Sequence, residues 1–196
     1  MPRVSEEHLA ARRQQILDAA FTCFSRNGFH NTSMQDVIAE ANLSVGAVYR
    51  YFKSKTELVS AIAETALEGA EDVFAELATH EPPLPLAEAM DRAFGFAESQ
   101  TGPRGALRIA IQVWAESLRD PALAGFVAEK YGRFRALFAG LARRAQETGE
   151  LPADADPEAI GAALFGMVPG YALQRILANG PDRKTYAEAI RVLFKA

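Results

Sequence analysis

The apolar residues of this chain recur every three or four positions along almost its whole length, the spacing that places them on one face of an α-helix. Short segments rich in Gly and Pro interrupt the pattern, for example HEPPLP at 80–85 and TGPRG at 101–105. No stretch shows the alternation of apolar and polar residues that is typical of a β-strand. The sequence therefore predicts an all-α protein of about nine helices.

Capping residues predict where two short helices lie near the start of the chain. Ser33 with Asp36, or Thr32 with Gln35, has the spacing of a capping box. The helix that follows ends at Asn42, because asparagine tolerates the left-handed backbone of a tight turn. Ser44 then caps the next helix. The expected pair is Ser33–Ala41 and Val45–Tyr51.

Composition limits where the chain works and what it binds. The whole chain carries 21 basic and 25 acidic residues, but residues 1–55 hold seven basic against five acidic ones. Halves of opposite charge indicate different partners, or simply two solvated surfaces. The start is charged and lacks an apolar signal core, and no apolar run approaches the ~18 residues of a membrane span. The single cysteine, Cys23, excludes an intrachain disulfide, so a cytoplasmic protein is expected.

The stretch ANLSVGAVYRYFKSKTELV (41–59) is basic and aromatic within this acidic chain. Two short helices joined by a tight turn predict a helix-turn-helix, whose second helix enters the major groove of DNA. Val45, Gly46 and Ala47 are small enough to lie close to base edges and thymine methyl groups. Tyr49, Arg50 and Tyr51 follow one another and so point in different directions.

Lys55 begins the next helix, where a cation opposes the helix dipole unless an anion offsets it. DNA phosphate is the anion that we expect, and Thr32 and Ser33 are placed for the other side of the groove. The same residues also fit an ordinary all-α core with half-buried tyrosines and solvated lysines. The pattern alone leaves both interpretations open.

Residues 13–59 resemble the N-terminal domain of the TetR family of bacterial transcriptional regulators. The resemblance rests on ILDAA, on GFHNTS, on DVIAEANLS, and on VGAVYRYFKSKTEL. Asn42 stands where the family usually has glycine, and asparagine adopts the same backbone angles. Carried over by position, the resemblance implies DNA contacts at Thr32, Ser33, Ser44, Val45, Gly46, Ala47, Tyr49, Tyr51 and Lys55, with Arg50 a less certain addition.

The later segments VWAESLRDPALA and GALFGMVPGYALQRIL resemble, more weakly, the C-terminal domain of the BetI-like subgroup. The resemblance implies a DNA-binding domain at 1–56 and an effector-binding and dimerisation domain at 57–196. It also implies a homodimer formed through about 157–179 and 183–194.

Large apolar residues of the second half either line an effector cavity or form the core. Arg108, Gln112 and Glu116 follow one another at four-residue spacing, which favours a surface stripe over a cavity wall. The candidate effector residues are Met90, Phe94, Trp114, Phe134, Phe138, Phe165 and Tyr171.

Enzyme chemistry finds no support in the sequence. His8, His30 and His80 lack metal-ligand spacing, and there is no phosphate loop or nucleophile elbow, so neither a cofactor nor a metal is expected. The resemblance implies a repressor that a small apolar or amphipathic effector releases from a palindromic operator in double-stranded DNA. The alternative is an all-α small-molecule-binding protein without specific DNA binding.

Overall fold

The computed structural model describes residues 6–103 and 105–194, and over these residues it contains only α-helices as regular structure. Residues 1–5, part of the charged start considered above, lie outside the described range. The all-α prediction is confirmed. The helices are α1 (Glu6–Asn27), α2 (Met34–Glu40), α3 (Val45–Tyr51), α4 (Lys55–Thr79), α5 (Leu86–Ser99), α6 (Ala106–Ser117), α7 (Pro121–Glu147), α8 (Pro157–Ala178) and α9 (Arg183–Phe194).

The short α2 and α3 begin and end as their capping residues require. Ser33 and Asp36 form the capping box: the Ser33 hydroxyl accepts from the Asp36 amide at 3.2 Å, and the Asp36 carboxylate accepts from the Ser33 amide at 2.7 Å. Asn42 has a φ of 52°, in the left-handed region, and makes the turn between the helices. Ser44 caps α3 through the amide of Ala47.

The chain divides into two compact units, and each is discontinuous in sequence. The first contains the chain through Ala66 together with Ile109–Ala124. The second contains Leu67–Arg108 and the chain from Gly125 onward. The boundary at residue 56 that the sequence suggested falls inside the first unit, close to the start of α4.

The core of the first unit is mainly aliphatic, with two buried phenylalanine rings, Phe24 from α1 and Phe52 directly after α3. Burial of these side chains fixes the inner faces of α2 and α3 and leaves their other faces exposed. Cys23 belongs to this core, and burial raises the pKa of its thiol, so the thiol stays protonated. The buried residues include Ile16, Ala20, Phe24, Val37, Val48, Phe52 and Leu58.

The core of the second unit is built largely from aromatic rings. Phe74 of α4 packs edge-on against Phe96, Phe134 and Phe138, with ring centroids 5.1–5.8 Å apart. Phe165 of α8 stacks on Phe134 at 5.5 Å. α8 continues through Pro169 and is the one helix among the described residues that is long and apolar enough to span a membrane, although only a third of that window is buried.

Candidate functional site

Three residues of α3 form a surface that its own unit does not cover, here called the outward face of α3: Val45, Gly46 and Tyr49. Val45 is 57% exposed and Tyr49 38% exposed, although both are large and mainly apolar. Apart from the adjoining helix backbone, no heavy atom of the part of the chain that the structure describes lies within 4 Å of the position that a Cβ on Gly46 would take. Val48, on the opposite side, is buried. One side of α3 is thus packed into the first unit. The other side is exposed, and because Gly46 has no side chain, a binding partner can approach its backbone closely.

A groove of about 340 Å³ separates α3 from the first half of α1. Four residues predicted to contact DNA line its α3 side: Ser44, Ala47, Arg50 and Tyr51. The α1 side contributes His8, Leu9 and Arg12, which the sequence did not single out. Arg12 and Arg50 give this groove a positive character. The adjacent Arg12 and Arg13 were the available sequence signal: Arg12 lines the groove, and Arg13 lies over the ring of Phe52, the residue after α3.

The side chains of Thr32 and Lys55 both hydrogen-bond to backbone carbonyls of the segment between α1 and α2, residues 28–32, here called the α1–α2 corner. The Thr32 side chain is 1% exposed, and its hydroxyl donates to the carbonyl oxygen of Gly28 at 2.8 Å. The Lys55 ammonium donates to the carbonyl oxygens of Phe29 and Thr32 at 2.8 and 3.0 Å, and it lies over the Phe29 ring. These carbonyls supply the negative partner that we had expected from DNA. A lysine ammonium has three N–H donors, so one of them is not used by these two hydrogen bonds.

Ser33 is exposed at the start of α2, directly after the corner. Its hydroxyl and amide both hydrogen-bond to Asp36, which lowers the pKa of that carboxyl group. A carboxylate is thereby held ionised beside the helix N-terminus, where the dipole favours it.

Residues of α6 hold the α1–α2 corner from another direction. The Gln112 side-chain oxygen accepts from the Phe29 amide at 2.8 Å, and its NH₂ group donates to the Phe24 carbonyl at 3.5 Å. Glu116 lies 3.1 Å from the imidazole of His30. Gln112 and Glu116 therefore contact the end of α1 and the α1–α2 corner within the first unit, rather than forming the surface stripe that four-residue spacing favoured. Arg108 instead donates to the carbonyls of Thr101 and Gly102.

The second unit brings together six of the seven candidate effector residues. Met90, Phe94, Phe134, Phe138, Phe165 and Tyr171 all belong to its buried cluster, whereas Trp114 is half-buried in the first unit. The Tyr171 hydroxyl donates to Glu98 at 3.0 Å. Burial, and then this bond, raise the pKa of Tyr171 to about 12. The rings are in direct contact, as in a core.

Apolar side chains remain uncovered on α8 and α9. Leu177 is 71% exposed and Leu193 65% exposed, and Val192 beside it is similarly open. Along α8, exposed or half-buried apolar residues follow one another at alternating spacings of four and three, the spacing of a helix–helix seam. The stripe is Ala159, Ala163, Gly166, Gly170, Leu173 and Leu177.

Two protein-family models match this chain, one over the helix-turn-helix and one over most of the remaining helices. The model of the bacterial regulatory proteins of the tetR family matches residues 16–62, and that of the BetI-type transcriptional repressor C-terminal region matches 87–195. The HTH-type transcriptional regulator UidR of Escherichia coli (strain K12) is 28% identical over 93% of this chain and 90% of its own. The uncharacterized HTH-type transcriptional regulator YfiR of Bacillus subtilis (strain 168) is 46% identical over 34% of this chain, which spans only 33% of YfiR.

Solved structures agree over nearly the whole chain. Salmonella enterica GusR has a TM-score of 0.75 at 26% identity, covering 98% of this chain and 97% of its own. A transcriptional regulator from Saccharomonospora viridis in complex with choline has a TM-score of 0.76 at 22% identity, covering 95% and 96%, a likeness of fold.

A capped pair of short helices with an uncovered second helix, followed by a larger helical unit, defines the class of helix-turn-helix regulators. The chain belongs to the TetR family of bacterial transcriptional regulators, with a C-terminal part of the BetI type.

Proposed function

We propose that this chain is a ligand-responsive repressor that binds a palindromic operator as a homodimer in the cytoplasm. The observation that carries the proposal is the outward face of α3: Val45, Gly46 and Tyr49 are uncovered on a helix whose other side is buried. A helix so presented fits the major groove, which is about 12 Å wide.

The cationic and polar side chains beside that face bind the phosphate groups of the DNA backbone. Arg12 and Arg50 line the groove between α1 and α3, where a phosphate can pair with both guanidinium groups. Ser33 stands exposed at the start of α2. Lys55 contributes its remaining N–H, while Thr32 acts by shaping the corner, because its hydroxyl is committed to backbone carbonyls.

A second copy of the chain covers the stripe on α8 and the exposed end of α9. Gly166 and Gly170 each leave the space around a would-be Cβ empty, so packing within this chain does not explain the glycines. Two helices that meet at small residues approach closely, and leucines at the ends of the stripe bury apolar area. We therefore expect the exposed apolar residues of α8 to pack against a second copy of the chain, in a dimer interface formed by about 157–179 and 183–194.

The effector binds in the second unit, among the aromatic residues around Phe165. Because those rings already touch one another, a ligand has to replace ring contacts, and a small apolar or amphipathic compound does so at least cost. Such a ligand favours one arrangement of the dimer over another. It releases DNA when that arrangement no longer matches successive major grooves, about 34–36 Å apart.

Selection from random duplex DNA at about 0.15 M salt tests the function, since salt suppresses binding that depends on phosphates alone. We expect one palindrome to be enriched. Tyr49→Ala should weaken binding to it by tenfold or more, because an exposed side chain is removed without loss of core packing. Leu118→Ala, at an 87% exposed residue beyond α6, is the matched control and should bind as the natural protein does.

No enrichment with folded, dimeric protein would favour a small-molecule-binding protein that does not recognise a DNA sequence. Equal affinities of the Tyr49→Ala and Leu118→Ala variants for an enriched site would place the recognition surface elsewhere.

A further inference from the structure

We propose that the outward face of α3 recognises thymine in each half-site through its C5 methyl group. The proposal rests on the DNA-binding function above and assigns it a base. Val45 and Tyr49 are the residues that determine this specificity, and Gly46 sets the distance of approach.

The side chains of this face are mainly apolar, and the Tyr49 hydroxyl is the one polar side-chain group on it. Val45 presents two methyl groups at 57% exposure, and Tyr49 presents an aromatic ring at 38% exposure. Gly46 between them adds no side chain, and the space in front of it is open. The edges of the four bases in the major groove carry hydrogen-bond donors and acceptors, and the thymine methyl is the apolar group among them. A surface of this kind gains most when it covers that methyl.

The neighbouring cations are directed away from this face. The Lys53 ammonium donates to the backbone carbonyl of Tyr49, and the Lys55 ammonium donates to Phe29 and Thr32 of the corner. Arg50 lines the groove towards α1 together with Arg12. Paired hydrogen bonds from a cation to guanine, the commonest specific contact, are therefore not available to the residues of the outward face.

The spacing along α3 limits where the thymines lie. Val45 and Tyr49 are four residues apart, so their Cβ atoms are about 5–6 Å apart on the same side of the helix. Base pairs follow one another every 3.4 Å or so along a strand. The two side chains therefore face base pairs that are one or two steps apart, and each half-site has one or two sensitive thymines within that distance.

Uracil substitution tests the proposal on the palindrome recovered by selection, because uracil differs from thymine only in lacking the methyl group. Each thymine is replaced in both half-sites and the affinity of the full chain is measured. We expect one or two positions to lose about fourfold per half-site, as for one buried CH₂ group, and about fifteenfold for both half-sites. The remaining thymines should change affinity by less than about twofold.

Val45→Ala gives the second measurement, since it shortens an exposed side chain without touching the core. The variant should bind the thymine site more weakly and should lose most of the uracil effect at one position, because the same contact has already been removed. Leu118→Ala should retain the full uracil effect. If uracil substitution weakens binding of Val45→Ala as much as it weakens binding of the natural protein, Val45 does not contact that methyl group and its assignment is overturned.

Two negative outcomes are distinguishable. If a palindrome is enriched and no uracil substitution changes affinity by more than about twofold, the methyl proposal is overturned and DNA binding stands. If no sequence is enriched, the proposed function itself is overturned, and this inference with it.

Discussion

At the scale of single residues, Tyr171 shows how burial and one hydrogen bond change a side chain's titration. Its hydroxyl is buried in the second unit and donates to Glu98, and both effects keep it protonated, with a pKa of about 12. The unfolded chain ionises near the ordinary value of 10. Below pH 10 the stabilisation from this group is complete, and it is lost as the pH rises from about 10 to 12.

We expect the free energy of unfolding of the natural protein to fall more steeply above pH 10 than that of Tyr171→Phe. The difference should approach 1 kcal/mol per pH unit, because only the natural protein has this proton to lose on unfolding. Urea unfolding of both proteins at pH 9, 10 and 11 measures it. Tyr131 and Tyr186, whose pKa values burial also raises, are present in both and cancel. Parallel loss of stability in the two proteins would contradict the prediction.

At the scale of helices, local sequence predicted the elements and failed for the contacts between them. Ser33, Asn42 and Asp156 act on backbone atoms within a few residues, so the helix ends that they set could be predicted from spacing. Gln112 bonds to an amide 83 positions earlier, and its four-residue spacing from Arg108 carried no trace of that partner. Nothing local to Lys55 indicated the two carbonyls that it binds 23 and 26 positions earlier, and its contact with phosphate stays a prediction.

We expect Gln112→Ala to cost about 1–3 kcal/mol of stability, because the Phe29 amide is left without its acceptor in a partly buried place. Affinity for the operator should fall as well, since the corner leads directly into α2. Gln14→Ala removes an exposed glutamine of the same unit, whose side-chain amide donates to Asp18, and is the control. Urea unfolding and operator titration measure both effects. Equal results for the two variants would show that Gln112 does not position the corner.

At the scale of the whole molecule, the exposed large apolar side chains of the described residues lie on α3, α8 and α9 and at Leu118 beyond α6. The outward face of α3 is small and is flanked by cations, which suits DNA. The stripe on α8 is longer, and α9 separately exposes Val192 and Leu193, which suits a second copy. The sequence could indicate both α3 and α8, but it could not separate the covered side of α8 from the uncovered one, because α8 is apolar almost all round.

Substitutions at two glycines of α8, Gly161 and Gly166, are expected to affect folding and dimerisation separately. Apart from the adjoining helix backbone, no heavy atom of the described residues lies within 4 Å of a Cβ at Gly166. Gly166→Leu should therefore leave the helical content unchanged, while the dimer dissociation constant rises by tenfold or more. A Cβ at Gly161 would stand 2.4 Å from the Ala139 amide, so Gly161→Ala should instead lower the free energy of unfolding. Sedimentation equilibrium and circular dichroism distinguish the two. A Gly166→Leu protein that remains dimeric at the same concentrations would place the interface elsewhere.

The first unit is assembled from two separate segments of chain, and this determines the point during synthesis at which the unit can be completed. Ile109–Ala124 is synthesised after the whole of α5, and Gln112 from it holds the α1–α2 corner. A nascent chain that has emerged only through Ala66 lacks that support. The DNA-binding unit is therefore complete on the ribosome only once residue 124 has emerged. For the same reason, a gene fusion that exchanges N-terminal parts between such regulators has to carry the second segment along with the first.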